Sequence, residues 1–443
     1  MKKFIRIISV TLCMLLCFSM VQLPAVAAST ARYELPFEVN ARAYVLASLD
    51  TGEIIFEKNS NERYDPASLT KLLTAYTTYK YVEDFEGTKV TAPRYVYDEL
   101  FGMNSSTADI RQGEILSVKD LMYAMLLPSA NEAASILADY IGNGDITNFC
   151  MMMNNEARKL GCKNTNFTNA HGLFTDNHYT SAYDMYLIAK ACYNTPGFMD
   201  IVTTIRYQMP ANLKHADPYW IQNTNWMQNK AYPDHYRSYI RGMKTGTLDY
   251  QNFVCTAQKN GENYLLVVIG ADFESGKKGP AFYTTREIMD YFFDSYSLRS
   301  ANTLTFPVTE VGLKYAKDTD TLLLYADNEV MSILPNDADE SSFQKVYNLP
   351  EYVGAPINAG DVIGTVDYYL AGQKVGTSQL VSHDTIQRST VMFLVGKFQE
   401  AYQSLYFRVV LAVTFVLFTI YLIYTYSQYR KHEKMQKVHR RRR

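Results

Sequence analysis

An uninterrupted run of apolar, Tyr and Thr residues from Val409 to Tyr426 limits this chain more than any other feature. At about 1.5 Å per residue such a run just crosses a hydrocarbon core of about 30 Å. Beyond it stand Arg430, Lys431, Lys434, Lys437 and Arg440-Arg441-Arg442-Arg443. A cluster of this kind stays on the cytoplasmic side of a membrane, and buried core helices rarely end in one. The other end reads Met1-Lys2-Lys3-Phe4-Ile5-Arg6, then an apolar stretch from Ile7 to Met20, then Leu23-Pro24-Ala25-Val26-Ala27-Ala28 with its A-x-A pattern. That is the three-part layout of a secretory signal peptide, residues 1–27. The two ends together predict a single-pass cell-membrane protein. Residues from about 28 to 405 then lie outside the cytoplasm, followed by a transmembrane helix at 409–427 and a basic cytoplasmic tail at 428–443.

The 443 residues exceed what one compact domain needs, so two to three units are expected. A formal net charge of -2 gives no reason to expect a nucleic-acid partner. Of the six cysteines, Cys13 and Cys17 fall in the signal segment. Cys150, Cys162, Cys192 and Cys255 match no zinc spacing; an even count in an exported chain permits disulfides, and buried free thiols fit equally well. No metal or organic cofactor is expected.

Residues 43–58 read as a hairpin, with Tyr44 to Leu49 and Glu53 to Glu57 flanking a turn at Asp50-Thr51-Gly52. A helical pattern fills about 66–205, in which Ser117-Val118-Lys119-Asp120 looks like a capping box and Ala133–Ile141 like a helix stopped by Gly142. Strand character returns at 239–245, 252–259 and 263–270, and a helix at about 280–296 closes the unit. This order predicts an α/β (α+β) domain at 32–300, an antiparallel sheet with helices on both faces and an inserted helical block. Residues 301–392 are strand-rich and read as a small all-β domain, joined by a juxtamembrane linker at 393–408 to the one C-terminal transmembrane helix.

Three short motifs occur in order: Ser68-Leu69-Thr70-Lys71, Ser129-Ala130-Asn131 and Lys244-Thr245-Gly246. The first two are weak alone, since Ser275-Gly276-Lys277-Lys278, Ser342-Phe343-Gln344-Lys345 and Ser300-Ala301-Asn302 match the same patterns. Their order and setting carry the weight. Ser68 and Lys71 share a helix face. Ser129 follows Pro128 in a break between helices, and Lys244 to Gly246 sit in a strand-like run. A serine hydroxyl needs a base, and a lysine one turn away serves if desolvation and nearby cations lower its pKa. In such a site Ser68 is the acylated nucleophile, Lys71 the general base and Ser129 a proton shuttle to a leaving amine. Asn131 holds a substrate backbone amide. Lys244, with Thr245, Gly246 and Thr247, receives a substrate carboxylate, and the Ser68 and Thr247 N–H groups form an oxyanion hole.

With Asp65-Pro66-Ala67 before Ser68, Asn169-Ala170-His171-Gly172-Leu173 and Gly242-Met243 before Lys244, residues 32–390 resemble the low-molecular-mass penicillin-binding proteins, the serine-type D-alanyl-D-alanine carboxypeptidases. The resemblance implies a transpeptidase/β-lactamase-like domain followed by a small β domain. It implies removal of the terminal D-Ala from peptidoglycan stem peptides through an acyl-enzyme, and covalent inhibition by β-lactam antibiotics. An endopeptidase, a β-lactamase or an inactive wall-binding protein are the alternatives on the same scaffold. A class A β-lactamase would need a deacylating Glu where this chain has Thr165-Asn166-Phe167-Thr168-Asn169. The family anchor is often an amphipathic helix, here replaced by a span, and Thr247-Leu248-Asp249-Tyr250 departs from the usual family continuation. His171-Gly172 reads as a structural turn.

Overall fold

The structure is a computed structural model and describes residues 32–103, 105–274 and 278–440. Residues 1–27, expected as a signal peptide, Ser275 and the last three arginines lie outside the described residues. The chain divides into two compact units, one running to Leu298 with Ile333–Asn336 added, the other comprising Arg299–Ser332 and Asp337 onward.

The first unit begins with the expected hairpin, Ala43–Ser48 (β1) against Ile54–Lys58 (β2). The helical block follows: Thr70–Tyr81 (α1), a short ribbon of Lys89–Thr91 (β3) and Ile115–Ser117 (β4) around Tyr95–Leu100 (α2), then Val118–Leu126 (α3) and Asn131–Ile141 (α4). Ile146–Lys159 (α5), Ala182–Tyr193 (α6) and Phe198–Val202 (α7) complete it. A second ribbon, Arg206–Met209 (β5) with Tyr219–Gln222 (β6), leads to Ile240–Thr247 (β7), Tyr250–Lys259 (β8), Glu262–Asp272 (β9) and the helix Pro280–Ser295 (α8). The predicted capping box is present: the Asp120 N–H donates to Ser117 Oγ and the Ser117 N–H to Asp120 Oδ2.

The main sheet is antiparallel in the order β2-β1-β9-β8-β7, so β7 is an edge. Alternate residues feed two cores. Val45, Ala47, Leu265 and Val267 join Leu72, Leu73 and Ile188 of the helical block. Leu46, Leu266 and Val268 join Phe282, Ile288 and Phe292 of α8. Burial on both faces explains why Leu265 to Ile269 is a continuous apolar run rather than an alternating one.

The second unit holds Thr309–Lys314 (β11), Thr321–Ala326 (β12), Phe343–Asn348 (β14), Tyr352–Gly354 (β15), Val362–Leu370 (β16) and Gln373–Ser382 (β17) in one sheet, ordered β14-β16-β17-β12-β11-β15. The division between units cuts Tyr296–Ser300 (β10) and Met331–Pro335 (β13). Ile333 is fully buried in the α8-side core and its carbonyl accepts from Tyr33 Oη at 2.9 Å, which accounts for its place in the first unit.

Residues 393–408, expected as a linker, are largely helical: Thr390–Gln403 (α9) is separated only by Ser404 from Leu405–Arg440 (α10). Ser389 caps α9 by accepting from Met392 N, and Tyr315 lies against Gly396 and donates to Glu400 Oε1 at 2.6 Å. Within α10, Leu405–Lys434 is long and apolar enough to cross a membrane and is unburied, which fits a membrane anchor. Cys150, Cys162, Cys192 and Cys255 are buried free thiols.

Candidate active site

Ser68 lies on a single 3-10 turn, Ala67–Leu69, that runs directly into α1. Ala67 has φ of +50°, a backbone state that costs a non-glycine residue about 1 kcal/mol or more. The turn is held from three sides. Asn252 of β8 donates from Nδ2 to the Asp65 and Pro66 carbonyls, both at 3.1 Å. Gly246 of β7 is so close that a Cβ there would stand 3.0 Å from Pro66 O and 3.2 Å from Ala67 Cβ. Gly172, at φ +90°, is closer still: a Cβ would fall 1.9 Å from Ala67 O. Behind the turn, Thr70 Oγ1 donates to Ala67 O at 2.8 Å, and His178 Nε2 meets Thr70 Oγ1 at 2.9 Å. Burial holds the His178 imidazole neutral, near a pKa of about 3.

Lys71 is fully buried and its Nζ has three neighbours: Ser68 Oγ at 3.0 Å, Asn131 Oδ1 at 2.6 Å and the His171 carbonyl at 2.6 Å. Desolvation is the largest force on its pKa and drives it well below the usual lysine value; the Lys244 ammonium adds to this and Glu132 opposes it. Asn131 opens α4. Its backbone N–H donates to Ser106 O at 2.9 Å and its Nδ2 to Ser105 Oγ at 2.7 Å, which aims Oδ1 at the lysine. Ser129 sits at φ +68° between α3 and α4, and its buried hydroxyl has no partner among the described residues.

Lys244 is 1% exposed, and its Nζ donates to the Thr245 carbonyl at 2.9 Å. Burial lowers its pKa to about 7. Thr245 Oγ1 is 2.6 Å from Thr224 Oγ1, and Thr247 is exposed at the end of the edge strand. The structure therefore gathers Ser68, Lys71 and Asn131 into one hydrogen-bonded cluster, with Gly246 packed on the Ser68 turn and Lys244 in the electrostatic environment of Lys71. Thr245 is engaged by Thr224, a neighbour that no motif announces. The decoy Ser342 lies in the second unit.

His171 forms the expected turn. The Asn169 amide oxygen accepts from the His171 and Gly172 N–H groups at 3.2 and 2.7 Å. The imidazole Nδ1 accepts from Leu173 N at 3.1 Å and Nε2 faces Glu99 Oε1 at 3.5 Å. What the sequence did not reveal is the role of the His171 carbonyl as a partner of Lys71, nor the buttressing by Asn252. Among the described residues no group of three or more His, Cys, Asp or Glu could hold a metal ion.

A hydroxyl in contact with a desolvated amine, on a strained turn beside the open edge of an antiparallel sheet, defines a serine acyl hydrolase of the transpeptidase type. A family model described as D-alanyl-D-alanine carboxypeptidase matches residues 27–273, and one described as Penicillin-binding protein 5, C-terminal domain, matches residues 293–388. The chain belongs to the D-alanyl-D-alanine carboxypeptidase family of serine hydrolases. It is similar to D-alanyl-D-alanine carboxypeptidase DacF of Bacillus subtilis, with 27% identity over 79% of this chain and 86% of that protein. It is also similar to DacD of Escherichia coli, with 28% identity over 79% and 88%. Among solved structures, penicillin binding protein 5 from Haemophilus influenzae covers 80% of this chain and 99% of its own, at 25% identity and a TM-score of 0.59.

Proposed function

We propose that the protein removes the terminal D-Ala from peptidoglycan stem pentapeptides, with Ser68 as nucleophile and Lys71 as its base. The observation that carries this reading is the environment of Lys71 Nζ. A neutral amine has two N–H donors and one lone pair. The Asn131 and His171 oxygens at 2.6 Å take the two donors, which leaves the lone pair for the Ser68 O–H at 3.0 Å. Burial and the Lys244 charge favour that neutral form.

The substrate strand pairs with the free edge of β7. Its terminal carboxylate meets Lys244, Thr245 and Thr247 and holds Lys244 in the charged form, and Asn131 holds a backbone amide. Ser68 Oγ attacks the penultimate D-Ala carbonyl while its proton passes to Lys71. The Ser68 and Thr247 N–H groups receive the developing oxyanion. The C–N bond breaks, and Ser129 relays a proton from Lys71 to the departing D-Ala amine. Water then hydrolyses the ester through the same lysine. β-Lactams present a carboxylate and a strained amide in similar disposition, so they acylate Ser68 and persist.

The reading extends to topology: α10 crosses the membrane once through 409–427, the basic tail is cytoplasmic, and the first unit works outside. No metal or organic cofactor enters any step. Incubation of the purified protein with a stem pentapeptide should release one D-Ala per peptide and leave the tetrapeptide, seen by mass spectrometry and unaffected by chelator. Cleavage only at cross-links, with free pentapeptide untouched, would instead mark an endopeptidase.

A further inference from the structure

Asn131 can face Lys71 only if its amide is held, and the residue after it does much of the holding. Glu132 is 3% exposed. Its Oε1 accepts from Thr107 Oγ1 and from the Ala108 N–H, both at 2.7 Å. Those donors belong to the segment whose Ser105 hydroxyl and Ser106 carbonyl bind the Asn131 side chain and N–H. The path from Glu132 to Lys71 thus runs through Thr107, Ser105 and the Asn131 amide, each link a hydrogen bond or a neighbouring residue.

We propose that Glu132 is a positioning residue for acylation: it fixes segment 105–108, and through it the Asn131 amide, while its carboxylate sets the electrostatic environment of Lys71. The proposal rests on the reading of Lys71 as the base. The charged and titratable groups around this lysine are Lys244 from β7, Glu132 from α4, and His171 and His178 from the turn before α6. Both imidazoles are held towards neutrality by burial, so Glu132 is the acidic group that acts on Lys71 against Lys244. Burial raises the pKa values of Tyr97 of α2 and Tyr219 of β6 and keeps them neutral, and the Glu132 charge adds to this. Desolvation raises the Glu132 pKa, and the Thr107 and Ala108 hydrogen bonds, which favour the carboxylate, work against that. Its effect on Lys71 is to favour the ammonium, the form that cannot take the serine proton. The site accepts that handicap in exchange for a fixed Asn131.

Charge and reach can be separated by two substitutions. Glu132→Gln keeps the reach and removes the charge. Glu132→Asp keeps the charge and shortens the reach. Full-length protein in detergent is treated with a fluorescent penicillin across pH, and the acylation rate gives an acid limb and a plateau. For Glu132→Gln the limb should move to lower pH by about one unit, with the plateau within a few-fold of wild type. For Glu132→Asp the limb should stay and the plateau should fall about tenfold or more, because segment 105–108 loosens. A limb that stays in place in the Gln variant overturns the proposal, whatever the plateau does. If the Gln variant does not fold, a displaced limb in the Asp variant overturns it equally. Lys71→Ala, run beside them, separates the two ideas: full acylation there sinks the base itself, whereas loss of acylation with an unmoved Gln limb sinks only the role of Glu132.

Discussion

Lys71 and Lys244 are both buried, and a buried lysine works against folding. Lys244 has a folded pKa of about 7, against about 10.4 for an unfolded lysine. Between those values the unfolded chain holds a proton that the folded chain has shed. Stability therefore rises with pH through this window, and the penalty is complete below it. Lys244→Met should stabilise the first unit by about 1–3 kcal/mol at pH 6 and by less at pH 10, measured by calorimetry, while carboxypeptidase activity is lost. A destabilised variant would mean that Lys244 is better satisfied than its hydrogen bond to the Thr245 carbonyl implies. At this scale the motif residues were legible because side-chain chemistry leaves a trace in sequence. The His171 carbonyl was not, since every residue has a carbonyl and only the Asn169 turn with its left-handed Gly172 aims this one. Asn252, Thr224 and Glu132 were missed because their partners lie far away in sequence or in loops without periodicity.

Among the elements, the turn under Ser68 depends on glycines supplied by two others. Gly172→Ala would drive a Cβ into the Ala67 carbonyl at a strained φ and should cost about 3 kcal/mol or more, read as loss of folded protein or a large fall in Tm. Gly246→Ala meets its neighbours at 3.0–3.3 Å, a clash that a small shift relieves. It should cost little stability but displace Ser68, with kcat/KM falling about 10²-fold. Equal small effects in both variants would contradict this account of the turn. The strands were readable from runs such as Leu265–Ile269, and α3 from its capping box. The helix α9 was not, because Val391, Val395, Phe398 and Tyr402 lead into an apolar span whose own pattern hides their period.

For the whole molecule, the order of two strands, helical block, three strands and helix was enough to state the architecture, since a sheet buried on both faces by α8 and the helical block leaves few arrangements. The boundary near residue 300 was less visible, because Ile333–Asn336 returns to the first unit through contacts that no local signal marks. The proposed topology predicts that protease added to intact protoplasts removes the bulk of the chain and spares the span and tail; full protection of residues 32–390 would contradict it. The central claim is that one hydroxyl, that of Ser68, carries the acyl group. Penicillin-treated protein should yield, on digestion and mass spectrometry, a single modified peptide whose adduct maps to Ser68. Ser68→Ala should give none, and Ser342→Ala the same adduct as wild type. A covalent adduct that survives Ser68→Ala would contradict the account.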